Sequence, residues 1–122
     1  MNPEETRIVV VDDAVDAAEA LACALECDGF SVRTANDGLQ ALALVEAFDP
    51  HCVLLDIDMP GLTGLEVASQ LRSRHGSALV IVAVTGWGRA DDRVSATFAN
   101  FDYYLRKPVE AAVLQKLLNP LR

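Results

Sequence analysis

Short apolar runs and helix-like segments alternate along the whole chain, and this alternation restricts the fold more than any other feature. The apolar runs predict five strands, at residues 7–11, 30–35, 51–56, 79–84 and 101–105. Each strand precedes a segment in which apolar residues recur at helical spacing. Strands joined through helices run parallel, because a tight turn can only reverse the chain direction. The sequence therefore predicts an α/β fold, a three-layer α/β/α sandwich of five βα units around a doubly wound parallel sheet.

Periodicity does not determine the order of the strands. We adopt the order 2-1-3-4-5 of flavodoxin-like folds, with right-handed crossovers, which places the first and third strands side by side. The third helix is expected to begin with a capping box at Thr63 and Glu66, the fourth to occupy residues 91–99, and the fifth to begin at Pro108. The residues that these helices should bury are Val15, Ala18, Leu21, Ala22 and Leu25 in the first, Leu39, Leu42, Val45 and Phe48 in the second, Leu65, Ala68 and Leu71 in the third, Val94 and Phe98 in the fourth, and Val113, Leu114, Leu117 and Leu118 in the fifth.

Length and composition limit the class of protein. A chain of 122 residues is the size of one domain, so residues 1–122 are predicted to form a single unit. No apolar run approaches the roughly 20 residues that cross a bilayer, and the first residues lack the pattern of a secretory signal. We expect a cytoplasmic protein that does not bind membranes. Because the last predicted helix reaches the end of the chain, no output domain is expected.

The charge argues against a nucleic-acid-binding protein, and the cysteines and histidines argue against a disulfide framework and a zinc site. A net charge of −8 repels nucleic-acid phosphates, so no nucleic-acid partner is expected. The three cysteines are interpreted as small core residues in a reducing compartment, since Cys23 and Cys27 are poorly spaced to bridge each other. His51 and His75 have no second histidine at metal-ligand spacing and receive no role.

Polar residues with related chemistry follow four of the five predicted strands. Asp12 and Asp13 follow the first strand, Asp56 ends the third, Thr85 follows the fourth and Lys107 follows the fifth after one more residue. The carboxyl ends of parallel strands meet along one edge of a sheet, so these residues are expected to form one charged pocket. Taken singly, each has a simpler explanation as a helix cap, a turn residue or a solvated lysine. Their joint placement favours a functional site.

The pocket has the composition of a site for Mg²⁺ and phosphoryl transfer. Three carboxylates in one place repel one another unless a cation intervenes, and oxygen ligands with retained waters favour Mg²⁺. A carboxylate oxygen can attack phosphorus and form an aspartyl phosphate. Lys107, Thr85 and the metal are then the candidates to neutralise the phosphoryl charge.

From Ile8 to about Leu118 the chain resembles the receiver domain of two-component response regulators. The motifs that carry the resemblance are Val9-Val10-Val11-Asp12-Asp13, Leu54-Leu55-Asp56-Ile57-Asp58-Met59-Pro60-Gly61, Val84-Thr85-Gly86 and Tyr104-Leu105-Arg106-Lys107-Pro108. The resemblance implies a phosphoprotein of a phosphorelay, phosphorylated by a histidine kinase or a histidine phosphotransfer protein. It also implies a switch that signals to a downstream protein through the surface of the fourth helix, the fifth strand and the fifth helix.

The same resemblance assigns roles to single residues. Asp56 would be the phosphoacceptor, and Asp13, Asp56 and the backbone carbonyl of Asp58 would bind Mg²⁺, with Asp12 acting through water. Thr85 and Lys107 would contact the phosphoryl group, and Thr85 with Tyr104 would form the switch. The bond between Lys107 and Pro108 would be cis. The segments Gly86-Trp87-Gly88 and Lys107-Pro108-Val109 also look like receivers attached to hybrid sensor kinases.

Two other functions stay open at this point. In a haloacid-dehalogenase-type phosphatase, Asp56 would be the nucleophile and Asp58 a general acid that drives turnover. Against it, no acidic pair follows Lys107 and no segment forms a substrate cap. A pseudo-receiver that serves only as a docking module is the other alternative, and the intact acidic set argues against it.

Overall fold

The computed structural model describes residues 6–57, 64–85, 100–107 and 109–121. Asp58, Thr63, Trp87, Pro108 and the predicted fourth helix lie outside the described residues. The capping box, the cis peptide bond and the carbonyl ligand of Asp58 therefore stay predictions. No described helix is long and apolar enough to span a membrane.

Five strands form one parallel sheet in the order β2-β1-β3-β4-β5, which confirms the predicted topology. The strands are β1 Arg7–Val11, β2 Ser31–Ala35, β3 Cys52–Asp56, β4 Val80–Thr85 and β5 Tyr103–Arg106. The helices are α1 Val15–Cys27, α2 Gly38–Phe48, α3 Gly64–His75 and the C-terminal helix Ala111–Leu118, with 3-10 turns at Gly76–Ala78 and Asn119–Leu121.

Two apolar layers cover the two faces of the sheet. Alternate residues of β1 point in opposite directions, so Val9 and Val11 pack with α2 and α3 while Ile8 and Val10 pack with α1 and the C-terminal helix. All five residues of β3 are buried, because helices cover both faces of the sheet at this strand. This burial is what a central strand of a three-layer sandwich requires.

Local signals account for the ends of the first two helices. The chain leaves α1 through Asp28 and Gly29, whose φ of 95° is readily available only to glycine. Asp37 caps α2 by accepting the Gln40 amide at 2.8 Å, and the Gln40 side chain accepts the Asn36 amide at 3.0 Å in return. Residues 36–40 therefore form a reciprocal capping arrangement at the start of α2.

Several predicted core positions are wrong. Leu39 is 73% exposed, because the buried face of α2 is formed by Gly38, Ala41, Leu42 and Val45. Residues 13–17 are all exposed, so Val15 lies at the surface and the buried face of α1 begins at Ala18. In the same way, α3 buries Gly64, Val67, Ala68 and Leu71 and leaves Leu65 half-buried.

The C-terminal helix and the cysteines require three more corrections. The helix begins at Ala111 and not at Pro108, since residues 109 and 110 are not helical. Val113 is exposed beside β5, whereas Leu114 and Leu118 are buried as predicted. Cys23 and Cys27 are exposed on α1, so the interpretation of all three cysteines as core residues holds only for Cys52. Burial and the nearby charge of Asp102 raise the pKa of the Cys52 thiol to about 12, which makes it a poor nucleophile.

Candidate functional site

The predicted polar residues lie at the carboxyl edge of the sheet. Asp12 directly follows β1, Asp56 and Thr85 are the last residues of β3 and β4, and Lys107 directly follows β5. Val11 pairs with Leu55 and Asp56 with Val84, so consecutive strands bring these residues to the same level. The register of the sheet therefore brings the residues of the site together.

Three carboxylates form a compact cluster at this edge. One oxygen from each of Asp12, Asp13 and Asp56 lies within 4.8 Å of the others. Asp13 is exposed, but Asp56 is only 2% exposed and Asp12 is also buried. Two of the three carboxylates are therefore shielded from water, so nearby positive charge would stabilise them.

The backbone holds Asp12 in place. Its amide donates to the carbonyl of Ala35 at 3.0 Å, and the Asn36 side chain donates to its carbonyl at 3.0 Å. The Ala14 amide donates to Asp12 Oδ1 at 2.9 Å. One carboxylate oxygen of Asp12 is thus occupied by the backbone at the start of α1. Sequence reasoning missed the role of Asn36, although a polar residue directly after β2 was the signal that could have revealed it.

Lys107 supplies the positive charge of the site. Its Nζ lies 3.1 Å from Asp56 Oδ2 and 3.5 Å from Asp12 Oδ2, and its amide donates to the carbonyl of Thr85 at 2.7 Å. Burial lowers the pKa of Lys107, but the hydrogen bond to Asp56 and the charges of Asp56 and Asp12 outweigh this effect and raise the pKa above 10.5. Lys107 is therefore a cation at every physiological pH.

Thr85 and Tyr104 lie on the neighbouring strands β4 and β5. Thr85 is buried at the same edge as Asp56. Tyr104 pairs with Ala83 in the register of the sheet, and its side chain is 45% exposed.

The ligand set fits a hard divalent cation. The three clustered side chains offer only oxygen atoms, which Mg²⁺ and Ca²⁺ prefer over nitrogen or sulfur. Asp13 faces solvent, which leaves room for the waters that Mg²⁺ retains. The described part of the site therefore agrees with the metal predicted from the sequence.

Comparisons with known proteins identify the family. The model of the response regulator receiver domain matches residues 8–119. Response regulator MprA of Mycobacterium leprae is 41% identical over 116 residues, which are 95% of this chain and 49% of that protein. MprA of Mycolicibacterium vanbaalenii is 42% identical over 116 residues, 95% of this chain and 48% of that protein.

Solved structures agree with this result. A CheY-like receiver domain protein from Methanospirillum hungatei JF-1 superposes with a TM-score of 0.85 at 28% identity, covering 96% of this chain and 94% of that one. Response regulator TrrA of Thermotoga maritima, solved in complex with Mg(2+)-BeF, has a TM-score of 0.85 at 31% identity and covers 96% of this chain and 99% of that one.

The chain belongs to the response regulator receiver domain family. It is a receiver of the two-component type, a class that signals through phosphorylation. The chain spans about half the length of the MprA relatives. Its similarity to receivers of hybrid sensor kinases stays a prediction.

Proposed function

We propose that this domain accepts a phosphoryl group on Asp56 from a histidine kinase or a histidine phosphotransfer protein, in a reaction that requires Mg²⁺. The charge balance of the site carries this proposal. Among the described residues of this edge, the three clustered carboxylates and the Lys107 ammonium group sum to two negative charges. A divalent cation held by these carboxylates would balance the two charges and would screen Asp56 from the charge of an anionic phosphoryl group.

The contacts of the carboxylates favour some of them as direct metal ligands and one as a ligand that acts through water. Asp12 Oδ1 accepts the Ala14 amide, so a backbone contact already engages one of its carboxylate oxygens, which favours a role for Asp12 through water. Asp13 is exposed and Asp56 lies within reach of it, which favours these two as direct ligands. The backbone carbonyl of Asp58 completes the proposed set.

The chemical step is an in-line displacement at phosphorus. An oxygen of the Asp56 carboxylate forms the new P–O bond while the P–N bond to the donor histidine breaks, and the departing imidazole nitrogen keeps the electron pair and takes up a proton. A bound Mg²⁺ supplies charge neutralisation for the phosphoryl oxygens. Lys107, which already touches Asp56, donates to the same oxygens, and Thr85 offers a hydroxyl at the adjacent strand end.

The proposed output is a change of surface near β5. Movement of Thr85 toward the phosphoryl group would vacate space into which Tyr104 can turn. Tyr103, Tyr104 and Val113 are exposed and line a shallow groove between β5 and the C-terminal helix. We propose that a downstream protein docks on this surface, together with the predicted fourth helix, and that phosphorylation shifts its population between two states.

The remaining proposals concern the chain as a whole. We propose one receiver domain over residues 1–122 that transforms no external substrate beyond its own phosphorylation and slow dephosphorylation. The cytoplasmic location and the lack of a nucleic-acid partner stay predictions from the sequence.

Incubation with Mg²⁺ and phosphoramidate, followed by intact mass spectrometry, tests the proposal. We expect one added phosphoryl group per chain, none without Mg²⁺ and none in Asp56→Asn. Continuous release of phosphate over many turnovers, without a labelled protein, would instead indicate a phosphatase. Absence of any labelling in the wild type would leave only the docking-module alternative.

A further inference from the structure

The first residue of α3 lies directly against the peptide bond that follows Asp56. A Cβ atom at Gly64 would be 2.6 Å from the carbonyl oxygen of Asp56 and 2.5 Å from Cα of Ile57, with Cγ2 of Ile57 at 3.1 Å. Real Cβ atoms do not approach other atoms within 3.0 Å. The two closest atoms belong to the backbone, so no flexible side chain can move aside.

The Asp56–Ile57 peptide is also held from the other side. The Ile57 amide donates to the carbonyl of Val84 at 3.2 Å, and Asp56 pairs with Val84 in the sheet. The Asp56 side chain contacts Lys107 at 3.1 Å. A displacement of this peptide therefore moves the carboxylate relative to its partners.

The helix on the other side of the contact is equally constrained. Val67, Ala68 and Leu71 of α3 are completely buried in the layer shared with α2. Near the end of α3, Arg72 donates to the carbonyl of Asn100 and to Asp102. Moving α3 outward would open this packed layer, so a side chain at position 64 pushes on the peptide of Asp56 instead.

We propose that Gly64 is a positioning residue for the phosphoacceptor: its lack of a side chain lets α3 press against the Asp56–Ile57 peptide and fixes where the Asp56 carboxylate points. The inference rests on the proposed function and deepens it. It assigns to a glycine outside the acidic cluster a part in Mg²⁺ binding and in the rate of phosphorylation.

Gly64→Ala tests the inference, with Gly76→Ala as the matched control. Gly76 has a φ of +58°, but nothing lies within 4 Å of its Cβ position, so this substitution strains the backbone far from the site. We expect Gly64→Ala to slow phosphoramidate labelling at saturating Mg²⁺ by roughly ten- to a hundredfold, since displacements near 1 Å cost this much. Mg²⁺ affinity, measured by calorimetry, should fall in the same variant. Gly76→Ala should keep the labelling rate and Mg²⁺ affinity of the wild type.

The readouts separate this inference from the proposed function. If the wild type is labelled and Gly64→Ala is labelled equally fast with equal Mg²⁺ affinity, Gly64 has no positioning role although the function stands. If the wild type is not labelled, the function fails, while Mg²⁺ affinity still tests Gly64. An equal loss in Gly76→Ala would show general destabilisation and overturn the inference.

The folded state of Gly64→Ala is verified by circular dichroism. If the variant is unfolded in buffer, the same measurements are made in trimethylamine N-oxide, which favours the folded state. A variant that stays unfolded even there contradicts the inference, because the added methyl group would then disrupt the core and not the site.

Discussion

Lys107 Nζ lies 3.1 Å from Asp56 Oδ2, so the ammonium group of Lys107 already forms an ion pair with the carboxylate that we propose as the phosphoacceptor. Lys107 is also close to Asp12 and is anchored by its amide to the carbonyl of Thr85. One lysine thus connects the ends of β1, β3, β4 and β5. Lys107 neutralises part of the negative charge of the acidic cluster. In the proposed reaction, its ammonium group donates hydrogen bonds to the phosphoryl oxygens.

Removal of this charge should affect metal binding and phosphorylation in opposite directions. In Lys107→Met we expect Mg²⁺ affinity to rise on the order of tenfold, because a cation repels the metal across a short distance. Labelling by phosphoramidate should nevertheless slow, since the phosphoryl oxygens lose a donor. Calorimetry and intact mass spectrometry measure the two effects. Lys116→Met, at an exposed position of the C-terminal helix, should change neither property.

The stabilising effect of Lys107 should disappear at alkaline pH. Its pKa is higher in the folded chain than the ordinary value of 10.5, so its ion pairs stabilise the fold fully below that value. The contribution is lost as the pH rises through the folded-state pKa. Urea unfolding of the wild type and Lys107→Met should therefore give free energies of unfolding that differ at neutral pH and converge above pH 10.5. A difference that stays constant into this range would contradict the ion pairing.

The three cysteines should differ in reactivity. Cys23 and Cys27 are exposed on α1, whereas Cys52 is buried and its pKa is raised to about 12. Titration of the native protein with a chromogenic disulfide should modify Cys23 and Cys27 at once and Cys52 only after denaturation. Rapid reaction of all three thiols in the native protein would show that β3 is not covered as described.

Arg72 should be the most important arginine for stability among those described. Its guanidinium group donates to the carbonyls of Gly76, Leu79 and Asn100 and to Asp102 at 2.7 Å. Asp102 in turn accepts the Ile81 amide at 2.8 Å. We expect Arg72→Met to reduce the free energy of unfolding by about 2–3 kcal/mol, measured by urea denaturation.

Arg74→Met is the matched control for this prediction. Arg74 forms an exposed ion pair with Glu46 at 3.5 Å. Pairs of this kind contribute at most about 1 kcal/mol. If the two variants lost equal free energies of unfolding, the contacts of Arg72 to three carbonyls would not stabilise the link between α3 and β5.

Much of the fold could be predicted because strand periodicity and strand-end chemistry are local properties. The apolar runs ending at Val11, Asp56 and Val84 predict strands, and parallel pairing then brings their ends together. Strand order required an analogy, since the sequence contains no local signal for which strands are neighbours.

The errors in α2 and α3 share one feature. The buried face of each helix includes a glycine at its first position, Gly38 or Gly64, and Gly64 lies directly against the peptide bond that follows Asp56. A glycine contributes nothing to an apolar pattern, so Leu39 was assigned inward and the contact of Gly64 with Asp56 was not foreseen. Close backbone approach depends on the packing of distant elements, and sequence periodicity does not record it.

Chemical trapping of the phosphorylated residue tests the central claim most directly. Borohydride reduces an aspartyl phosphate to homoserine, so the protein is labelled with phosphoramidate and Mg²⁺, reduced, digested and sequenced by mass spectrometry. The structure predicts homoserine at position 56 and none in the Mg²⁺-free control. Homoserine at position 12 or 13, with an unmodified Asp56, would contradict the assignment of the phosphoacceptor.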